Sequence, residues 1–149
     1  CSFDFHGDKQ NGKDDFTKCP NGAPGVETRM PIVFSEGVSK GRLSLNEFAA
    51  VTSTNPAKIF GMYPKKGVLA PGSDADIVLM NPDMEVTITK NILHENVDYT
   101  PYEGIQVKGW PVMTMVRGQA VVENERLQVP LGFGRYINRK PVKYTELLK

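Results

Sequence analysis

Histidine and cysteine, the side chains that hold most protein metals, occur only twice each in these 149 residues. His6 and His94 lie far apart, and no H-x-H, H-E-x-x-H or C-x-x-C run occurs, so the chain lacks an obvious local metal site. Cys1 and Cys19 are too few for a disulfide framework or a cysteine-based zinc site. Charge of one sign is also missing. Lys and Arg total 18 against 17 Asp and Glu, and the net charge of +1 offers no electrostatic case for a nucleic-acid or polyanion binder. No apolar run approaches the roughly 20 residues that span a bilayer. Phosphate cradles of the G-x-G-x-x-G or G-x-x-x-x-G-K-[ST] kind are absent, as is the G-x-S-x-G elbow. There is no internal repeat or low-complexity tract. These absences lead us to expect a cytoplasmic protein without nucleic-acid or membrane partners.

What is present is an ordinary globular composition, 40% hydrophobic and 23% charged, made loop-rich by 14 Gly and 11 Pro. A chain this long usually makes one domain and buries roughly 70% of its unfolded surface. Residue 1 is Cys, and Cys1-Ser2-Phe3-Asp4-Phe5 has none of the zones of a signal peptide. It reads as a strand or strand exit, and the expectation is a piece of a longer polypeptide, with a processed mature chain as the alternative.

Residues 6 to 26 read as a long polar connection in which two Asn-Gly pairs and two prolines oppose regular structure; loops of this length tend to be functional. Met30, Val33, Phe34, Gly37 and Val38 then fall on one helical face, with Pro31 in the first turn and Gly41 as a left-handed stop. Ser44 and Glu47 form an S-x-x-E capping box for a second helix, whose inner stripe is Leu45, Phe48, Ala49 and Thr52. Asn55-Pro56 predicts a third, short helix capped by Asn55 and ended by Gly61. After Tyr63-Pro64 the period changes to two. Ile77–Met80 reads as a compact buried strand, followed by strands around Val86 and Ile88, at 105–108, 112–116 and 119–122, and at 127–129. Arg117-Gly118 and the 123–126 stretch are hairpin turns. Residues 130–149 look like an extended tail. The first half therefore has helices without a sheet of their own, and the second is a small antiparallel β unit.

Few residues stand out chemically. Cys19 has no adjacent His and reads as a spectator thiol, not a nucleophile. Asp14-Asp15 is an acid/base pair or, more simply, two exposed carboxylates. Gly72-Ser73-Asp74-Ala75-Asp76 falls short of a calcium loop and reads as a tight turn whose aspartates bond backbone N–H groups at the start of a strand. Trp110-Pro111, near Tyr99, Pro101 and Tyr102, is a binding platform, a subunit rim or ordinary core. The most informative loop is Pro20-Asn21-Gly22-Ala23-Pro24-Gly25. Prolines stiffen it, and small residues let a ligand approach a backbone whose N–H and C=O would suit a cyclic amide. A plain structural turn fits the same pattern.

The stretch from Asp14 to Glu27 resembles the D-D-F-T-K-I-P-N-G-x-P-G-x-E segment of the D-hydantoinase/dihydropyrimidinase family of amidohydrolases. Tyr63-Pro64-Lys65-Lys66-Gly67 and Gly72–Val78 resemble its Y-P-x-K-G and G-S-D-A-D-[IL]-V motifs, and Tyr102-Glu103-Gly104 and Val116-Arg117-Gly118 resemble later landmarks. The resemblance runs nearly end to end. It implies a (β/α)8 (TIM) barrel with a β-sandwich: residues 1–64 as the end of the barrel, 65–129 as the C-terminal part of the sandwich, and 130–149 as the tail. It implies a hydrolase that opens hydantoin or dihydropyrimidine rings to N-carbamoyl amino acids with two divalent metals, usually zinc, sharing a hydroxide. It also implies a homo-oligomer, tetramer or dimer, with the tail as one contact.

In the family the metal ligands are an H-x-H pair, a carboxylated lysine, two further histidines and an aspartate in a D-H-C-S run. Cys1-Ser2 matches the end of that run, so the expected ligands lie upstream, in the rest of the same polypeptide, and no catalytic or metal-binding residue is carried over. The one transfer is Asn21, where the family's loop bonds the substrate ring largely through its backbone. The segment alone is expected to be inactive. The collapsin-response mediator proteins, non-enzymatic scaffolds that share the fold and much of the pattern, are the alternative.

Overall fold

The computed structural model describes residues 3–142. Cys1, Ser2 and the end of the tail from 143 lie outside the described residues. Phe3 and Asp4 are irregular and lead into a turn, so no strand is seen at this end. The 6–26 connection is irregular as expected, apart from two short 3-10 turns at Asp8–Gly12 and Phe16–Lys18.

Helix α1 (Arg29–Val33) runs without a break into a π-helical turn, Phe34–Ser39. Pro31 sits in the first turn, where its missing N–H leaves no bond unmade. The helix stops as predicted. Gly41 takes φ +69°, and the N–H groups of Arg42 and Leu43 fold back onto the Gly37 carbonyl at 2.8 and 3.0 Å.

Helix α2 (Leu45–Ala49) opens with the predicted capping box. Ser44 Oγ accepts the Glu47 N–H at 3.2 Å, and Glu47 Oε2 accepts the Ser44 N–H at 2.8 Å. A separate third helix does not form. The chain continues through a π-helical stretch, Ala50–Thr54, into α3 (Asn55–Ile59). Asn55 is not a cap: its backbone is helical (φ −66°, ψ −45°) and its N–H bonds the Ala50 carbonyl. A proline inside a regular helix clashes with the carbonyl one turn back; the wider π turn just ahead of Pro56 makes room for it. The expected inner stripe is also narrower than predicted. Phe48 is buried and Thr52 half-buried, but Ala49 is exposed and Leu45 is 65% exposed. Val51, Ile59 and Phe60 are exposed too, so this helix carries an uncovered apolar face.

The second half forms one antiparallel sheet in the order β1 (Ile77–Thr87), β2 (Gln106–Val116), β3 (Gln119–Glu123), β4 (Arg126–Leu127). The strands expected separately at 77–80 and 86–88, and at 105–108 and 112–116, are two long strands paired from Ile77↔Met115 to Thr87↔Gln106. Register shifts after Leu79 and Asn81 absorb Pro82 and Pro111, which cannot donate to a regular ladder. The run at 127–129 supplies only the end of β4. Both hairpin turns are present. Arg117 and Gly118 lie at φ +53° and +77°, Asn124 and Glu125 at +49° and +62°, the left-handed pairs that match strand twist. Ile77–Met80 is not the buried strand expected: Ile77 and Met80 are half-buried, and Val78 and Leu79 are exposed because no layer among the described residues covers them.

The core centres on Ile88, Leu93, Val107 and Trp110, with Ile32, Val86 and Tyr102 packed around it. Trp110 is thus ordinary core. The helices of the first half are not all without a sheet, because α1 docks on β2. Ser35 Oγ accepts the Lys108 N–H and Ser39 Oγ donates to the Lys108 carbonyl, both at 3.0 Å. Next to Lys108, Gly109, at φ +102°, admits the buried Phe34 ring, which also meets Phe48 edge-on at 5.3 Å. Among the described residues no helix is long and apolar enough to cross a membrane.

Candidate functional site

The loop preceding α1 is built from the chain's own polar groups. Asp15 caps the Phe16–Lys18 turn, accepting the Thr17 N–H at 3.1 Å and the Thr17 hydroxyl at 2.6 Å. These bonds from Thr17 hold the Asp15 carboxyl below its usual range. Asp15 is therefore a capping group, and Asp14 is exposed beside it. The Cys19 thiol is half-buried and its contact is the neighbouring Pro20 carbonyl at 3.9 Å, which fits the spectator reading.

Lys9 reaches across and donates to the carbonyls of Pro20 (2.9 Å) and Gly22 (2.7 Å). Asn21 stands exposed between these two clamped peptides. Among the described residues no hydrogen bond engages its backbone N–H, its C=O or its side chain. Beyond it Pro24 is buried, and Gly25 (φ +155°) lies against Tyr102, whose ring edge a Cβ at Gly25 would approach to 3.3 Å. The amides of Gly25 and Val26 both donate to Glu95 Oε1, at 2.8 and 3.0 Å. Buried Thr28 returns a bond from its hydroxyl to the Gly25 carbonyl at 3.3 Å and leads into α1.

Glu27 grips His94. Its Oε2 accepts the His94 backbone N–H and its Oε1 faces Nδ1, both at 2.7 Å; on the other edge Nε2 faces the Glu125 carbonyl at 3.2 Å. Both ring nitrogens point at acceptors, which satisfies the imidazolium and leaves the neutral ring one donor short. The Glu27 carboxylate, by hydrogen bond and by charge, raises the His94 pKa above its ordinary value. At the start of the chain Asp98 accepts the N–H groups of Phe5 (2.6 Å) and His6 (2.9 Å).

The predicted residues fall in separate places. His6 belongs to the lead-in, His94 to the Glu27 pair and Cys19 to the loop, and among the described residues no three His, Cys, Asp or Glu side chains gather to hold a metal. The described residues do not fit a metal centre. The Gly72–Asp76 turn is structural. Asp76 Oδ1 accepts the Arg117 N–H at 2.9 Å, a bond to the distant hairpin turn and not to the local strand-entry amides the turn reading expects. Asp74 instead takes an ion pair from Lys66 at 2.9 Å, and Lys66 also bonds Asp76. Sequence reasoning missed Lys9, Glu95 and Asp98. Glu95 acts on Gly25 from 70 positions away and Asp98 on Phe5 from 93, so no local spacing could reveal them. As chemistry, the arrangement offers a loop clamped at the Pro20 and Gly22 carbonyls that presents unengaged peptide groups, the N–H and C=O of Asn21 among them.

The model of the amidohydrolase family matches residues 17–121. The D-hydantoinase of Geobacillus stearothermophilus is 48% identical over 99% of this chain, and the D-phenylhydantoinase of Escherichia coli is 45% identical over 95%. A crystal structure of dihydropyrimidinase from Brevibacillus agri NCHU1002 superposes with a TM-score of 0.93 at 51% identity, covering 96% of this chain and 31% of that one. The chain spans 31% of the length of both hydantoinase relatives.

Proposed function

The chain belongs to the amidohydrolase family, and on that premise we propose that it is the C-terminal portion of a metal-dependent enzyme that opens hydantoin or dihydropyrimidine rings to N-carbamoyl amino acids. The observation that carries this reading is the Asn21 peptide, left unengaged between two carbonyls clamped by Lys9. A cyclic imide or ureide ring presents N–H beside C=O, and a rigid backbone pair is its complement. The named relatives, a D-hydantoinase and a D-phenylhydantoinase aligned over almost the whole chain, support the same substrate class.

In this proposal residues 1–64 close the barrel and carry the ring-binding wall, residues 65–129 belong to the sandwich, and the tail at 130–149 contributes to a homo-oligomer, a tetramer or dimer. The metals, zinc by the family resemblance, are held by residues of the same polypeptide upstream of Cys1, and the enzyme is cytoplasmic. The part played by this chain's residues is binding and orientation. The Asn21 N–H would donate to a ring carbonyl and its C=O accept from a ring N–H, fixing which face of the ring meets the rest of the site.

The test is ring opening by the whole metal-loaded protein, with hydantoin and dihydrouracil as substrates. Activity there and none from residues 1–149 alone is the expected pair of results. Turnover by the isolated segment, or none by the whole protein, would refute the proposal, and the second result would leave the scaffold reading standing. Within the active enzyme, Asn21→Ala should keep kcat/KM within about threefold, because the contact is main-chain, whereas Asn21→Pro, which removes the N–H, should lose about tenfold or more.

A further inference from the structure

One short stretch, His94 to Asp98, holds the 20–25 loop from both ends. On the exit side Glu95 Oε1 accepts two consecutive amides, Gly25 and Val26, and so fixes the orientation of the peptide between them. His94 adds the Glu27 pair just beyond. On the lead-in side Asp98 takes the Phe5 and His6 amides, and its own N–H donates to Asp4 Oδ1 at 3.2 Å. The Asp4 carbonyl accepts the Lys9 N–H at 3.0 Å, and Lys9 clamps Pro20 and Gly22. The stretch is itself secured, since Lys90 Nζ donates to the Glu95 carbonyl at 3.0 Å.

We propose that Glu95 is a positioning residue for the ring-opening reaction: its carboxylate is the fixed point from which the Asn21 peptide is aimed, with Asp98 and His94 holding the same loop from either side. This rests on the reading of the loop as the ring-binding wall. Three residues separate Asn21 from Gly25, one of them the buried Pro24, so a displacement at Gly25 is carried to Asn21 rather than absorbed. Gly25, at φ +155°, takes a conformation open to glycine, so no side chain of its own fixes its direction and the two bonds to Glu95 do. A charged acceptor makes the two amide bonds stronger than a neutral one would. The second carboxylate oxygen, Oε2, is buried with no hydrogen-bond partner among the described residues, so Oε1 alone carries the contact to the loop.

The experiment compares the full-length metal-loaded enzyme with its Glu95→Ala and Glu95→Gln variants on hydantoin, together with amide exchange at Gly25 and Val26. Glu95→Ala should raise KM about tenfold with kcat within about threefold, the pattern of lost ground-state and transition-state binding alike. Glu95→Gln keeps an acceptor oxygen at the same reach and should bring KM back to within about threefold of wild type. Exchange at both amides should accelerate about tenfold or more in the alanine variant only. A KM within about twofold of wild type for Glu95→Ala, or a loss confined to kcat or to the yield of folded protein, would overturn the proposal. If the alanine variant does not fold, Glu95→Asp decides: one methylene shorter, it should raise KM severalfold above Glu95→Gln, and equal values refute the assignment. If the wild-type enzyme opens no ring, the functional reading fails, and the exchange data alone decide the positioning: selective acceleration in Glu95→Ala upholds it and unchanged exchange ends it.

Discussion

Adding one methyl group at Gly109 tests how α1 is docked and, through it, how the loop is carried. Gly109 sits at φ +102°, and a Cβ there would overlap the Cδ1–Cε1 edge of the Phe34 ring. Two costs follow for Gly109→Ala. The backbone cost of an L residue in that region is about 1–3 kcal/mol. Overpacking against Phe34 adds about 1–3 kcal/mol, since the ring is 5% exposed, is braced by Phe48, and has little room to move. Together they predict a loss of about 2–6 kcal/mol, enough to lower the melting temperature by many degrees. The two parts can be separated. Phe34→Ala alone should cost about 3–5 kcal/mol through the cavity it leaves. In the double variant the steric clash is gone while the backbone cost remains, so the combined loss should fall short of the sum by about 1–3 kcal/mol. Denaturant melts of the full-length protein and the three variants close the cycle. Additive losses would refute the reasoning, because the two residues would then not be in contact. A Gly109→Ala variant as stable as wild type would refute the backbone argument as well.

Lys66 predicts a stability effect that depends on acid. Burial pulls its ammonium down, but the hydrogen bonds and charges of Asp76 and Asp74 outweigh that and raise its pKa, while its bond to Asp74 lowers that carboxyl. Lys66→Met should destabilise by about 1–3 kcal/mol at neutral pH, where both carboxylates lose their partner. Asp74 contributes stability above the usual carboxylate range and loses it as pH falls through its lowered value, so the gap between wild type and variant in thermal melts should narrow in acid; a constant gap would count against the pairing. For His94 the sign is opposite. Its raised pKa gives a contribution that is complete below its ordinary value and fades as pH rises through the raised one. The His94 ring is largely exposed, so His94→Gln should cost less than about 1 kcal/mol at pH 5 and progressively less in alkali; melts at stepped pH would show this, and a loss that grows with pH would contradict it.

Much of this protein could be read without coordinates, wherever the determining interactions are local. The Ser44–Glu47 capping box, the Gly41 stop and the two hairpin turns are decided by groups within a few residues of one another, so spacing alone specifies them. The period of two after Tyr63-Pro64 likewise announced the sheet, and the run from Asp14 to Glu27 marked the candidate loop and its stiffness. Local signals misled where neighbours in space compete with them. Asn55-Pro56 carries the signature of a new helix, but a π turn lets the old one pass through it. Pro82 and Pro111 look like strand breaks, but bulges let the strands run on. Ile77–Met80 has the pattern of a covered strand, and cover depends on a second layer that a strand's own residues do not encode. The support of the loop was wholly tertiary. Composition and motif place Asn21 between two prolines, but only folding brings Lys9 to the carbonyls on either side of it, Glu95 to the amides of Gly25 and Val26, and Asp98 to those of Phe5 and His6, because a carboxylate holds whichever amide the fold sets within 3 Å of it, however distant in the chain.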